Sequence, residues 1–216
     1  MDLLDIARGP LLQWSLVVFL FGIFWRLTGI LLLKKKPDFS EPRNESAQRG
    51  LRMIFTRMWP KREFMKNQAL DLALGYVFHL GFFVVLLFFL PHILFVKDLT
   101  GLSWPNLPNG MIFFIGAVTL GALVALLFSR LTNPVKRLLS NFDDYFSWLV
   151  TALPLATGLL AAAHVGARYE TLLGLHILTV EAFLIWFPFG KLMHAILFAF
   201  SRGTTGMQFE RKGAAI

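Results

Sequence analysis

Histidines at 79, 92, 164, 176 and 194 are the side chains of this sequence best placed to do chemistry. Each lies in, or at the edge of, an apolar run, and none falls in the basic stretch between residues 34 and 69. A neutral imidazole either donates to a carbonyl or presents a bare ring nitrogen to a metal or a haem iron. Polar groups at membrane depth are costly to leave unmet, so each of these histidines needs such a partner. One histidine in such a place is as readily a hydrogen-bonded packing residue as a ligand; five on a few neighbouring segments favour ligation.

The run HILTVEAFLIWFPFGKLMH, residues 176 to 194, is closed at each end by a histidine, 18 residues apart. That spacing is about five whole turns of α-helix, so a continuous helix projects both rings from one face, about 27 Å apart along its axis.

The elements that must hold these rings follow from composition. Hydrophobic residues make up 56% of the chain and charged ones only 16%, far below the roughly 25% of a soluble domain. Five runs are long enough to cross about 30 Å of hydrocarbon: residues 11–33, 70–96, 110–131, 145–165 and 171–200. The sequence therefore predicts an all-α integral membrane protein, a single domain built as a five-transmembrane-helix bundle. The first run reads as a retained span, because acidic Asp2 and Asp5 precede it and it has no small-residue cleavage site. No internal repeat of the transporter kind is present. The chain has no cysteine, which excludes disulfides, iron–sulfur ligation and covalent c-type haem attachment on this chain.

The net charge of +8 belongs to the loops and implies no nucleic-acid partner. Lys34, Lys35 and Lys36 follow the first span, then Arg49, Arg52, Arg57, Lys61, Arg62 and Lys66. Arg130, Lys136 and Arg137 follow the third span, and Arg202, Arg211 and Lys212 occupy the tail from residue 201 to 216. The alternate loops hold only Arg8, Lys97 with Asp98, and Arg168 with Glu170. The excess of positive charge on one side predicts the N-terminus outside and the C-terminus cytoplasmic, in the inner (cytoplasmic) membrane.

With spans and orientation assigned, the histidines sort by depth. His79 is 9 residues past the cytoplasmic end at Leu70, and His194 is 6 before Phe200. His92 is 4 residues before the outer end at Val96, and His176 is 5 after Thr171. Two cross-helix pairs result, His79 with His194 inside and His92 with His176 outside. Bis-histidine pairs at two depths are what two b-type haems need. One element fits less well: the 13 residues from His79 to His92 leave them roughly 140° apart on an ideal helix. Pro91 would kink the segment and swing His92 round; otherwise His164, near the outer end of the fourth span, is the rival ligand.

At these residues the chain resembles the nitrate reductase gamma subunit and its relatives, the cytochrome b subunits of heterodisulfide-reductase-type and sulfite-reductase-linked membrane complexes. The resemblance lies in the two histidines 18 apart, with Phe187, Pro188, Phe189, Gly190 and Lys191 before the second. The loop SRLTNPVKRLLSNFDDYFSWLV adds a basic helix end and an acidic residue opening the next span. The match covers about residues 70 to 200; the departure is in the second span, where the nitrate reductase branch spaces its histidines more closely than 13.

The resemblance implies a dihaem b-type electron-transfer subunit, part of an oxidoreductase complex rather than a stand-alone enzyme. A cytoplasmic iron–sulfur subunit would sit near the inner haem, and menaquinone or ubiquinone would react near the outer one. Either direction of electron flow is compatible with these residues.

Further polar residues complete the reading. Arg26, in the first span, either snorkels to the interface or meets a propionate of the inner haem. Lys97, with Arg168 and Glu170, is either solvated or contacts a quinone headgroup or outer-haem propionates. Glu181, five residues after His176, is about 140° round the helix from it and is either a proton-relay group or paired with a neighbour. Gly75, Gly81, Gly116 and Gly121 leave room for a porphyrin or for close helix packing. Residues 47–66 carry Leu51, Ile54, Phe55 and Met58 at helical spacing among basic residues, which predicts an interfacial helix on membrane lipid or a docking surface for the partner. The competing class is a non-redox transporter or scaffold subunit whose histidines are structural or bind a metal ion.

Overall fold

The computed structural model describes residues 2–34, 39–44, 48–60 and 62–214. Lys35, Lys36 and Lys61 of the basic loop lie outside the described residues. Every regular element among the described residues is helical, and five helices are long and apolar enough to cross a membrane.

Helix α1 runs over Leu3–Leu32 and begins well before the expected residue 11. It loosens into a π-type turn at Ala7–Leu11, where Gly9 leaves helical backbone and Pro10 has no N–H to give. The basic loop follows, with a short helix α2 at Gln48–Thr56. Helix α3 spans Arg62–Phe88 and α4 spans Leu90–Thr100, so the second expected span is two helices with a break at Phe89. Helices α5 (Asn109–Thr132), α6 (Pro134–Leu139) and α7 (Phe142–Ala163) follow. Asn133 opens α6 by accepting from Val135 N and Lys136 N at 3.0 and 3.1 Å. Asn141 and Asp144 form a reciprocal capping box at the start of α7.

Helix α8 covers Tyr169–Trp186, and here the structure corrects the sequence reading. The expected fifth span ran unbroken to Phe200; instead the helix stops at Trp186, turns through residues 187–190, and restarts as α9 at His194–Arg211. Pro188 has no N–H for a bond back to Leu184, and its ring would strike that carbonyl if the helix continued. His176 and His194 therefore stand on different helices, and the one-face geometry over five turns does not apply.

Among the apolar helices α3 packs on α5, α5 on α7, α7 on α8, and α8 on the first span, α1. Leu123, Ala152 and Leu155 form the buried centre, with Phe78, Phe82, Leu120 and Trp148 packed around it. Two glycines permit the closest approaches. A methyl on Gly81 of α3 would overlap Thr119 Oγ1 of α5, and one on Gly22 of α1 would come within 2.5 Å of the buried Pro188 ring. Outside the spans, α2 packs on α9, with Gly50 close against the Gly203 carbonyl. Leu51 and Phe55 remain exposed on the outer side of α2. Large apolar side chains such as Trp14, Leu20, Phe21, Phe24 and Trp25 are exposed along α1, a surface suited to acyl chains rather than water.

One end of the bundle carries most of the charge. There Asp71 of α3 pairs with Lys136 and accepts from Ser129 at 2.7 Å, while Asp144 pairs with Arg130 at 3.3 Å and Lys191 at 2.5 Å. We call this the basic end.

Candidate functional site

The break at Phe89 builds the first half of the site. Phe89 is extended (φ −80°, ψ 126°), and Pro91 sits in the first turn of α4, where a missing N–H leaves no helical bond unmade. The carbonyls that end α3 are nevertheless all met. His92 Nδ1 lies 3.2 Å from the carbonyls of both Val85 and Leu86. Trp104 Nε1 donates to Leu87 O at 2.5 Å, and Leu107 N to Phe88 O at 3.0 Å. His92 is thus held by the helix end that its neighbour Pro91 interrupts.

His176 of α8 stands opposite. The ring centres of His92 and His176 are 6.2 Å apart, with planes 16° from parallel. His176 Nδ1 donates to Pro154 O of α7 at 3.1 Å and lies 3.3 Å from Thr157 Oγ1. Thr157 is tied in turn to Thr179 at 3.0 Å. Gly158 leaves the space the ring occupies: a methyl there would come within 3.1 Å of His176 Cε1.

The second pair lies toward the basic end. His79 of α3 donates from Nδ1 to Gly75 O at 2.7 Å, and His194 of α9 donates from Nδ1 to Lys191 O at 2.7 Å. Their ring centres are 6.1 Å apart, with planes 83° to one another. The turn that carries His194 is pinned to the start of α7. Lys191 N donates to Asp143 Oδ1 at 3.1 Å, Ser147 Oγ donates to the same oxygen at 2.7 Å, and Trp186 Nε1 donates to Ser147 Oγ at 3.0 Å.

All four rings share one feature. A carbonyl oxygen only accepts, so Nδ1 must carry the proton, and the neutral ring leaves Nε2 bare. That is the arrangement of a metal-ligating histidine whose other nitrogen is fixed by a second partner. Two imidazoles that bound one metal ion between them, at about 2 Å per bond, would stand with their ring centres about 6 Å apart. No group of three or more His, Asp or Glu side chains suited to a metal ion occurs among the described residues. Each pair offers two donors, the number a porphyrin iron leaves to the protein. Helix α3 packs on α4 and α5, and α8 on α7 and α1, and each histidine pair draws its two rings from different helices. Phe82 of α3 and Phe183 of α8, 6.3 Å apart, also meet.

The remaining residues named from sequence separate clearly. His164 closes α7 in left-handed backbone (φ 55°), is exposed, and stacks on Tyr169 at 4.9 Å; the ring brought to His176 is that of His92. Arg26 lines a groove with His194. Lys97 is exposed in the last turn of α4, five residues beyond His92. Arg168 and Glu170 pair with each other at 3.7 Å and are both exposed. Glu181 is 5% exposed, and its Oε1 has no hydrogen-bond partner among the described residues. Sequence reasoning missed Gly158, Thr157, Trp104 and the Lys191 carbonyl. Pro154 within an apolar span, four residues before a glycine, was the one available signal.

The fold and composition define a multi-pass, all-helical membrane protein. The chain is 33% identical over 218 residues to a protein of Nitratidesulfovibrio vulgaris (strain Hildenborough), an alignment covering 94% of this chain and 92% of that one, and it belongs to the same family. No protein-family model and no solved structure matches the chain.

Proposed function

We propose that this chain is the dihaem b-type membrane subunit of a respiratory oxidoreductase complex, akin to the nitrate reductase gamma and heterodisulfide-reductase-type cytochromes. It passes electrons between the quinone pool, menaquinone or ubiquinone, and a cytoplasmic iron–sulfur subunit. The observation that carries this reading is the recurrence of one arrangement at two depths: two imidazoles about 6 Å apart, each with Nδ1 committed to a carbonyl.

Bound there, haem b supplies a one-electron carrier at each depth. His79 and His194 would hold the inner group, and His92 and His176 the outer one. Gly75 O, Lys191 O, Pro154 O and the carbonyls ending α3 keep the four rings in the ligating tautomer. Gly158 leaves the His176 ring its space, and Phe82 and Phe183 meet 6.3 Å apart between α3 and α8. The basic loops orient the chain with its N-terminus outside and the basic end cytoplasmic, in the inner membrane. The His79–His194 pair then lies on the side of the iron–sulfur partner. Lys97 stands on the quinone side near His92, and Arg26 lies near the inner propionates.

Reduced-minus-oxidised spectra of the purified full chain, expressed with haem supplied, test the reading. A b-type α-band is expected; a colourless preparation that stays folded favours a non-redox scaffold or transporter subunit.

A further inference from the structure

We propose that the groove beside His194 binds a pair of carboxylates, the propionates of the inner haem, with Arg26 and Arg202 as its two anchors. The proposal rests on the haem reading above and extends it to a side chain, Arg202, that neither the histidine spacing nor the resemblance singles out.

The groove is open, with a volume of about 550 Å³, and is lined by Arg26, Lys191, Met193, His194, Phe198 and Arg202 among others, with no aspartate or glutamate in its walls. Its three cations are not equivalent. Lys191 already meets Asp144 at 2.5 Å. Arg202 donates to Ile54 O at 3.3 Å, and its guanidinium lies 5.7 Å from the Phe198 ring centre. Neither contact neutralises its charge. Arg26, in a membrane-spanning helix, has no hydrogen bond or ion pair among the described residues.

A guanidinium cannot shed its proton, so in an apolar span it needs an anion supplied from elsewhere. Its planar fork matches a carboxylate or phosphate with two parallel bonds. The exposed Arg26 side chain lines the same groove as His194 and Arg202, at the basic end of the bundle. The occupant therefore carries two anionic oxygen groups and lies within reach of an imidazole whose Nε2 is bare. The propionate edge of a porphyrin meets both conditions. The phosphate of an anionic lipid meets only the first.

The test uses the full chain, purified with haem supplied, and redox titrations at several pH values. Removing a cation beside the propionates destabilises the reduced haem, which carries one more negative charge. Arg26→Gln and Arg202→Gln should each lower the midpoint of one haem, the one lost in His194→Ala, and shift its pH dependence. The other haem should not move. Arg26→Lys and Arg202→Lys should restore most of the wild-type midpoint. Unmoved midpoints in the double Gln variant, with two haems still bound, overturn the proposal alone. Loss of a co-purifying anionic lipid, read by native mass spectrometry with unmoved midpoints, assigns the groove to lipid phosphate and also overturns it. Should the double variant lose both haems, the single Gln and Lys variants decide by the same readouts. A wild-type chain that binds no haem removes the parent reading, and this proposal with it.

Discussion

His92 faces His176 with ring centres 6.2 Å apart because the helix breaks at Phe89, not because thirteen residues of helix bring it there. On an unbroken helix His92 would lie roughly 140° away from the face of His79. The break lets one chain segment present both rings to α8 and α9. Pro91 is the residue that enforces it.

Pro91→Ala should therefore let α3 and α4 merge and turn His92 from His176. The expected outcome is one haem per chain instead of two, by pyridine haemochrome against protein concentration, with the inner haem spectrum kept. His164→Ala should leave both haems in place, since that ring stacks on Tyr169.

Crossed and parallel rings should be told apart by electron paramagnetic resonance of the oxidised protein. The His79–His194 planes stand at 83° and the His92–His176 planes at 16°. Crossed axial planes leave two iron d orbitals almost degenerate and give a strongly anisotropic low-spin signal; near-parallel planes give a rhombic one. One signal of each kind is expected, the first vanishing in His194→Ala and the second in His176→Ala.

Gly81 is held to hydrogen by Thr119, which is fully buried and bonded to Ile115 O at 2.7 Å. Gly81→Ala should cost about 1–3 kcal/mol through overpacking of α3 on α5. A fall in the melting temperature in detergent should report it, and adding Thr119→Ala should recover part of the loss.

Trp104 meets the carbonyl that Pro91 strips of its helical donor. Trp104→Phe removes the donor to Leu87 O, an exposed hydrogen bond, at a cost of about 0.5–1.5 kcal/mol. The expected sign is a lower melting temperature together with easier loss of the outer haem on dilution, while the inner haem stays.

The spans were legible because twenty-residue apolar runs have few other readings, and depth alone put His79 opposite His194 and His92 opposite His176. The ends of elements were not legible. Pro188 sits in a run so apolar that hydropathy carries straight through it, so the helix stop at Trp186 and the separate helix of His194 stayed hidden. The partners of the rings were harder still. Gly158 lies 18 residues before His176 in sequence, and the Lys191 carbonyl becomes an acceptor only once the turn is pinned by Asp143. The packing of α2 on α9 joins residues about 150 apart, and the amphipathic pattern of α2 shows that it has an apolar face but not what covers it.

The most direct measurement is haem stoichiometry across four variants of the purified full chain: His79→Ala, His194→Ala, His92→Ala and His176→Ala. Two haems per wild-type chain are expected, and one in every variant. His79→Ala and His194→Ala should lack the same spectral component, and His92→Ala and His176→Ala the other. A wild-type chain without a b-type band, or variants whose losses do not fall into these two pairs, would contradict the account.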